Sequence, residues 1–257
     1  MSDWDLDFSH DLLKTLVDAV RRERRLELLG DAERALASGD AVAFLRHDVD
    51  VSLARARVMA DLEREWGVRS TYHVMWRSPF YDPASAAGRA DLAAIAAAGH
   101  EVGLHFFAPE GAGAPVELEA AIRAECERLE DLLGTPVRSL SFHIPPPSMM
   151  RGPLRVAGRI NAYAAELFEW YLSDSAGRWR EGDPRESLTR PRSRVLQLLV
   201  HPIWWGEQHA RPADRLGEWV DEIARATGRS FEDVAEETWK HIIYRAEKPR
   251  RERSSGA

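Results

Sequence analysis

Residues 41–67, AVAFLRHDVDVSLARARVMADLEREWG, pass from an apolar strand through a cluster of charge into a segment of helical period that Gly67 stops. This strand-then-helix unit recurs along the chain. RSTYHVMW (69–76) is strand-like and precedes an Ala-rich helix over 84–98 that ends at Gly99. HEVGLHFF (100–107) is strand-like again and leads to a strong helix over 115–133, closed by Gly134. VRSLSFHIP (137–145) runs into Pro145, Pro146 and Pro147, which cannot continue a sheet ladder. Beyond a mixed stretch at 150–170, YLSDS (171–175) is a short strand, 176–194 is a polar loop, and VLQLLVHP (195–202) is the last clear strand. Helices over 213–227 and 231–247 follow, the second opened by Ser230 and Asp233 in a capping-box arrangement. An amphipathic helix from Leu12 to Leu29 precedes the whole series. Strands alternating with helices of this length imply parallel strands and right-handed crossovers, so the fold class is α/β, as a barrel or an open sheet.

With 257 residues, 44% hydrophobic, the chain buries its core without staples and reads as one domain over 1–247, with KPRRERSSGA (248–257) expected to be a disordered tail. Cys126 is the one cysteine, which excludes an intramolecular disulfide and a Cys-rich zinc cluster and suits a reducing compartment. The net charge is −7, and 35 basic residues are scattered among 42 acidic ones, which argues against nucleic acid as a partner. Asp3, Asp5 and Asp7 stand where a secretory signal needs basic residues, and no segment has the apolar length of a membrane helix. The expected location is therefore cytoplasmic. An oligomer is compatible with the exposed terminal helices, but no residue pattern calls for one.

The histidines and aspartates sit at strand ends. Strand one ends in Arg46-His47-Asp48-Val49-Asp50; His105, His143, Asp174 and His201 occupy later strands or their ends. In a parallel α/β fold the carboxyl ends of the strands share one face, where ligands bind. Asp48 and Asp50 are two apart, so on an extended strand both carboxylates point one way. Beside a divalent cation both stay ionised, one as ligand and one as base; the competing reading is a surface Asp-x-Asp turn capping the next helix. For His105 the alternative is a satisfied core histidine, and for His143 a rim residue. The HExxH zincin reading of His100–His105 fails, because histidines five apart lie about 140° around a helix and Gly103 opposes one. Trp179, Trp204 and Trp205 fall near strand ends, where an aromatic face suits a sugar ring; the plainer reading is that they cover the barrel end.

In order, LRHDVD, GHEVGLHFF, SFHIPPPS, SDSAGRW and LLVHPIWW, over residues 41–205, resemble the polysaccharide deacetylase family, the NodB-homology group of carbohydrate esterase family four, in a branch with LRHDVD as first motif. The resemblance implies a distorted (β/α) barrel of about seven parallel strands with extra terminal helices, and a divalent metal, zinc before nickel or cobalt. It implies Asp48 as general base, Asp50 and His105 as metal ligands, and His201 as general acid. Two positions depart from the pattern. Pro109 stands where the second metal histidine is expected, which leaves His143 as the candidate third ligand, and Ile144 replaces an arginine that orients the base, which leaves Arg46 as its substitute and the partner of Asp174 open. The activity implied is removal of an N-acyl group from an amino sugar or related small cytoplasmic precursor. A non-glycan C–N amide hydrolase and a degenerate carbohydrate-binding barrel are the alternatives.

Overall fold

The structure is a computed structural model and describes residues 7–107, 115–189 and 193–242. The expected tail at 248–257, and the helix beyond Ile242, lie outside the described residues, as does Pro109. The elements run α1 (His10–Glu23), β1 (Arg25–Leu26), α2 (Ala32–Ala37), β2 (Val42–Val49), α3 (Leu53–Glu65), β3 (Thr71–Val74), α4 (Ala86–Ala97), β4 (Glu101–Phe106) and α5 (Pro115–Leu133). Then come β5 (Ser139–Phe142), β6 (Arg155–Val156), β7 (Arg159–Asn161), β8 (Trp170–Ser173), α6 (Pro184–Leu188), β9 (Val195–Val200), α7 (Pro212–Thr227) and α8 (Phe231–Ile242).

One curled sheet in the order β6-β7-β5-β4-β3-β2-β9-β8 holds the strands together, with β1 paired to the start of β2. From β7 round to β8 every pairing is parallel, and β6 alone is antiparallel to its neighbour. This is the distorted, incompletely closed (β/α) barrel. Its seam is bridged by a side chain: Gln197 Nε2 on β9 donates to the carbonyls of Ala162 at 2.8 Å and Leu167 at 3.2 Å.

Strand alternation sorts the residues into two faces. On β2, Ala43, Leu45 and Val49 pack outward under the helices, whereas Phe44, Arg46 and Asp48 point into the barrel. Leu104, Phe106, Leu140 and Phe142 likewise face out and leave Gly103, His105, Ser139 and Ser141 within. Phe44, Ile160, Leu167 and Val195 plug the amino-terminal end of the barrel. The interior becomes polar only towards the carboxyl ends, which is where the site forms.

Candidate active site

Asp50, His105 and His143 come from the ends of β2, β4 and β5, and their donor atoms converge. Asp50 Oδ1 lies 3.0 Å from His105 Nε2 and 3.0 Å from His143 Nδ1, and the two ring nitrogens are 3.3 Å apart. All three side chains are buried. Both ring orientations are set from behind. Ser141 Oγ donates to Asp48 Oδ1 at 3.0 Å and so receives the N–H of His105 Nδ1 at 2.6 Å, while His143 Nε2 donates to the backbone carbonyl of His241 on α8 at 2.8 Å. Each imidazole then turns a lone pair towards the other and towards a carboxylate oxygen. Three acceptors facing one another need a cation or a shared proton between them, and one carboxylate with two imidazoles is a donor set suited to a catalytic divalent metal. The residues present fit such an ion. With no cation, the carboxylate and imidazoles bias each other's protons instead: burial opposes ionisation of Asp50, but His143 and His105 hold it well below the usual range, and Asp50 in turn raises His143 against its own burial.

Behind this triangle lies a second carboxylate. Arg46 grips Asp48 with both arms of its guanidinium, Nε to Oδ1 at 2.9 Å and Nη2 to Oδ2 at 2.6 Å, and its remaining Nη1 donates to Gln197 Oε1 at 3.0 Å. Both residues are buried, with Asp48 2% and Arg46 0% exposed, which removes the reading of the two aspartates as a surface turn. Burial alone would raise the Asp48 carboxyl; Arg46, then His105 and His73, pull it well below its ordinary value. Arg46 on β2 thus fixes the orientation of Asp48, and Ile144 lines the cavity.

On the opposite wall Asp174, at the end of β8, holds His201, at the end of β9. Asp174 Oδ1 meets His201 Nδ1 at 2.6 Å, and the same carboxylate receives the His201 backbone N–H and, at 2.7 Å, the indole N–H of Trp205. His201 Nε2 is left pointing to the centre, 3.9 Å from Asp50 Oδ2. Burial works against the imidazolium, but the Asp174 charge and hydrogen bond outweigh it, and the His201 pKa is raised to about 9.

The tryptophans require correction. Trp179, Trp204 and Trp205 are 1%, 1% and 3% exposed, so none presents a face to a ring. Trp205 instead orients Asp174, and Trp179 packs edge-on against Trp205. The aromatic wall of the cavity, about 340 Å³ in volume, comes from Tyr163, Phe168 and Tyr171. None of these carried a sequence signal beyond its residue type. Sequence reasoning also missed His73, 3.5 Å from Asp48, and His241, whose ring stacks on His143 at 4.3 Å. Gly103 makes room for His73, because a Cβ there would come within 2.4 Å of its ring.

No protein-family model matches the chain, and no curated protein sequence matches it significantly. Solved structures similar to it are family 4 carbohydrate esterases and deacetylases. A Streptococcus pyogenes deacetylase in complex with acetate is 13% identical at a TM-score of 0.40, over 51% of this chain and 61% of that one. A family 4 acetyl xylan esterase from Clostridium thermocellum, in complex with a cobalt ion, is 16% identical at 0.40, over 74% and 93%. A family 4 pseudoenzyme from Bacillus anthracis is 12% identical at 0.40, over 73% and 62%. Active enzymes and a pseudoenzyme therefore stand side by side among these structures, and the reading of this chain rests on its own site.

Proposed function

We propose that this protein is a metal-dependent hydrolase that removes an N-acyl group, acetyl above all, from an amino sugar or a related small precursor. The observation that carries the reading is the Asp50–His105–His143 donor triangle with a paired His201–Asp174 beside it. Asp50, His105 and His143 would hold a divalent cation, zinc before nickel or cobalt, which would supply positive charge for the acyl oxygen and lower the pKa of water. Asp48, ionised and fixed by Arg46 and Ser141, lines the cavity and takes the proton of the attacking water on its carboxylate. His201, protonated below about pH 9, releases the proton on Nε2 to the departing amine nitrogen while Asp174 steadies the ring.

His241 and Ile242 at the end of α8 line the cavity together with Ile144, Pro145 and Phe168, and its volume of about 340 Å³ suits a compact amino-sugar or precursor unit. No described helix is long and apolar enough to cross a membrane, and the lone buried thiol of Cys126 supports a reducing, cytoplasmic setting. The apolar wall of Ile144, Pro145 and Phe168 favours, as a second reading, a non-glycan amide on the same machinery.

Two measurements on the purified protein test the proposal. Elemental analysis is expected to find stoichiometric divalent metal that His105→Ala loses. Acetate release is expected from at least one member of a panel of N-acetyl sugars, nucleotide sugars and simple N-acetyl amides, with the responding class separating the two readings. Asp48→Asn should abolish turnover and keep the metal; loss of the metal on that substitution refutes the role given to Asp48. A folded protein that takes up no metal and releases no acetate leaves only a binding barrel.

A further inference from the structure

We infer that Glu101, at the foot of β4, is held in its protonated form and through Ser139 fixes His73 as a positioning residue for Asp48, with the Nδ1–H of that imidazole turned towards the carboxylate. The role given to His73 rests on the hydrolase reading, because it acts through Asp48 as the base. Register places the parts in two adjoining layers of the barrel interior. Asp48, His73 and Gly103 stand side by side on β2, β3 and β4, with Ser139 next to them on β5, and Arg46, Thr71 and Glu101 form the layer beneath. His73, Ser139 and Thr71 are wholly buried, and Glu101 is 7% exposed. Gly103 leaves the space for this arrangement: a Cβ there would stand 2.4 Å from the His73 ring and 2.8 Å from Ser139 Oγ.

The protons along this line have two consistent placements. Glu101 Oε2 accepts the Gly30 N–H at 2.8 Å and the Thr71 hydroxyl at 3.0 Å, the latter fixed because Thr71 Oγ1 itself accepts the Leu29 N–H at 3.0 Å. Glu101 Oε1 lies 2.8 Å from Ser139 Oγ, which lies 3.0 Å from His73 Nε2. If Glu101 is ionised, Ser139 donates to it, His73 Nε2 donates to Ser139, and a bare Nδ1 faces the ionised Asp48 Oδ1 across 3.5 Å. Two buried lone pairs then oppose each other. If Oε1 carries a proton, it donates to Ser139, Ser139 donates to His73 Nε2, and the Nδ1–H dipole points at Asp48. Nδ1 makes no hydrogen bond among the described residues, so the sign of its contact with the carboxylate decides between the two. An imidazolium would also remove the conflict, but burial lowers the His73 pKa to about 4 against the pull of Asp48, which leaves the ring neutral at neutral pH. Burial raises the Glu101 carboxyl, against its hydrogen-bond donors and against Arg138, a cation that Asp31 engages at 2.8 Å.

The test is the imidazole nitrogen NMR spectrum of the isotope-labelled full chain at neutral pH, with and without zinc, His73 being identified by the signal that His73→Gln removes. Its ring should appear as the Nδ1–H tautomer. It should stay so in Glu101→Gln, whose amide sets an N–H where Oε1 donates and a carbonyl where Oε2 accepts. An Nε2–H tautomer in the native chain overturns the inference, and that spectrum decides even where a variant fails to fold. Turnover reads the positioning role. Ser139→Ala and Glu101→Ala break the line and should lower kcat about tenfold, with KM and zinc content unchanged, and Glu101→Gln should recover most of what Glu101→Ala loses. Full kcat in Ser139→Ala, or a Glu101→Gln variant as slow as Glu101→Ala, overturns it. The tautomer is read without substrate, so a chain that shows Nδ1–H on His73 yet releases no acetate sinks the hydrolase reading and leaves the protonated Glu101 standing.

Discussion

At the scale of single residues, the Asp174–His201 pair makes a prediction with a definite sign. The His201 pKa is raised to about 9 because Asp174 outweighs burial, so the acid form is present below that value and is lost as pH rises through it. Asp174→Asn removes the charge and lowers the imidazole towards its ordinary value near 6.5. The alkaline limb of kcat should therefore move to lower pH by about two units, while metal content stays unchanged. A limb that does not move on this substitution shows that His201 is not the proton donor. These residues were legible because strand alternation is a rigid rule: in Arg46-His47-Asp48-Val49-Asp50 it sends the arginine and both aspartates inward and His47 outward. The tryptophans were not legible. Their type says large and amphipathic, and only packing decides whether a face remains open; here all three are sealed under the outer layer, and one spends its N–H on Asp174.

Among the elements, the outward-facing His47 has a purpose that the sequence hid. Glu63 on α3 is wholly buried against the sheet and accepts from His47 Nε2 at 2.8 Å, Ser70 Oγ at 2.6 Å and the Tyr72 hydroxyl at 2.8 Å, so it ties that helix to β2 and β3. Burial would raise its pKa, but His47, His100 and Ser70 lower it. A depressed carboxyl stabilises the fold above its unfolded pKa and gives up that stability as pH falls through the folded value. Glu63→Ala should cost about 3–5 kcal/mol in urea unfolding at neutral pH. Glu63→Gln should flatten the loss of stability on acidification, and an unchanged slope in that variant assigns the acid sensitivity elsewhere. The β6–β7 hairpin, which falls in the mixed stretch at 150–170, turns through Ala157 and Gly158 at φ of 50° and 79°. Such a turn calls for Asn-Gly or Gly-Gly, and alanine at the first position gave no signal. Ala157→Gly should relieve that conformation and raise stability by roughly 0.5–1 kcal/mol, measured as a higher urea midpoint.

The whole molecule joins segments that the sequence keeps far apart. The parallel strands, their order of appearance and the convergence of Asp48, Asp50, His105, His143, Asp174 and His201 at one end follow from periodicity and from the rule that carboxyl ends share a face. That α8 would close over this end does not, because a helix of amphipathic period announces that it packs and not where. In the structure its carbonyl at His241 receives the N–H of His143 Nε2, its imidazole stacks on the His143 ring, and Phe80 and Phe107 meet the same imidazole edge-on. The carbonyl keeps Nδ1 of His143 unprotonated and aimed at Asp50, which a ligand nitrogen requires. A chain ending at Arg229 loses carbonyl and stack together, and with them the buried Val234 and Thr238. It should fold, by far-ultraviolet circular dichroism, yet bind zinc about 10–100-fold more weakly in a chelator competition, the usual cost of losing a partner behind a metal histidine. His241→Ala keeps the carbonyl and loses the stack, so its affinity should fall between the two. If the shortened chain holds zinc as tightly as the full one, the ring of His143 is positioned by β5 alone, and α8 acts only to confine the cavity.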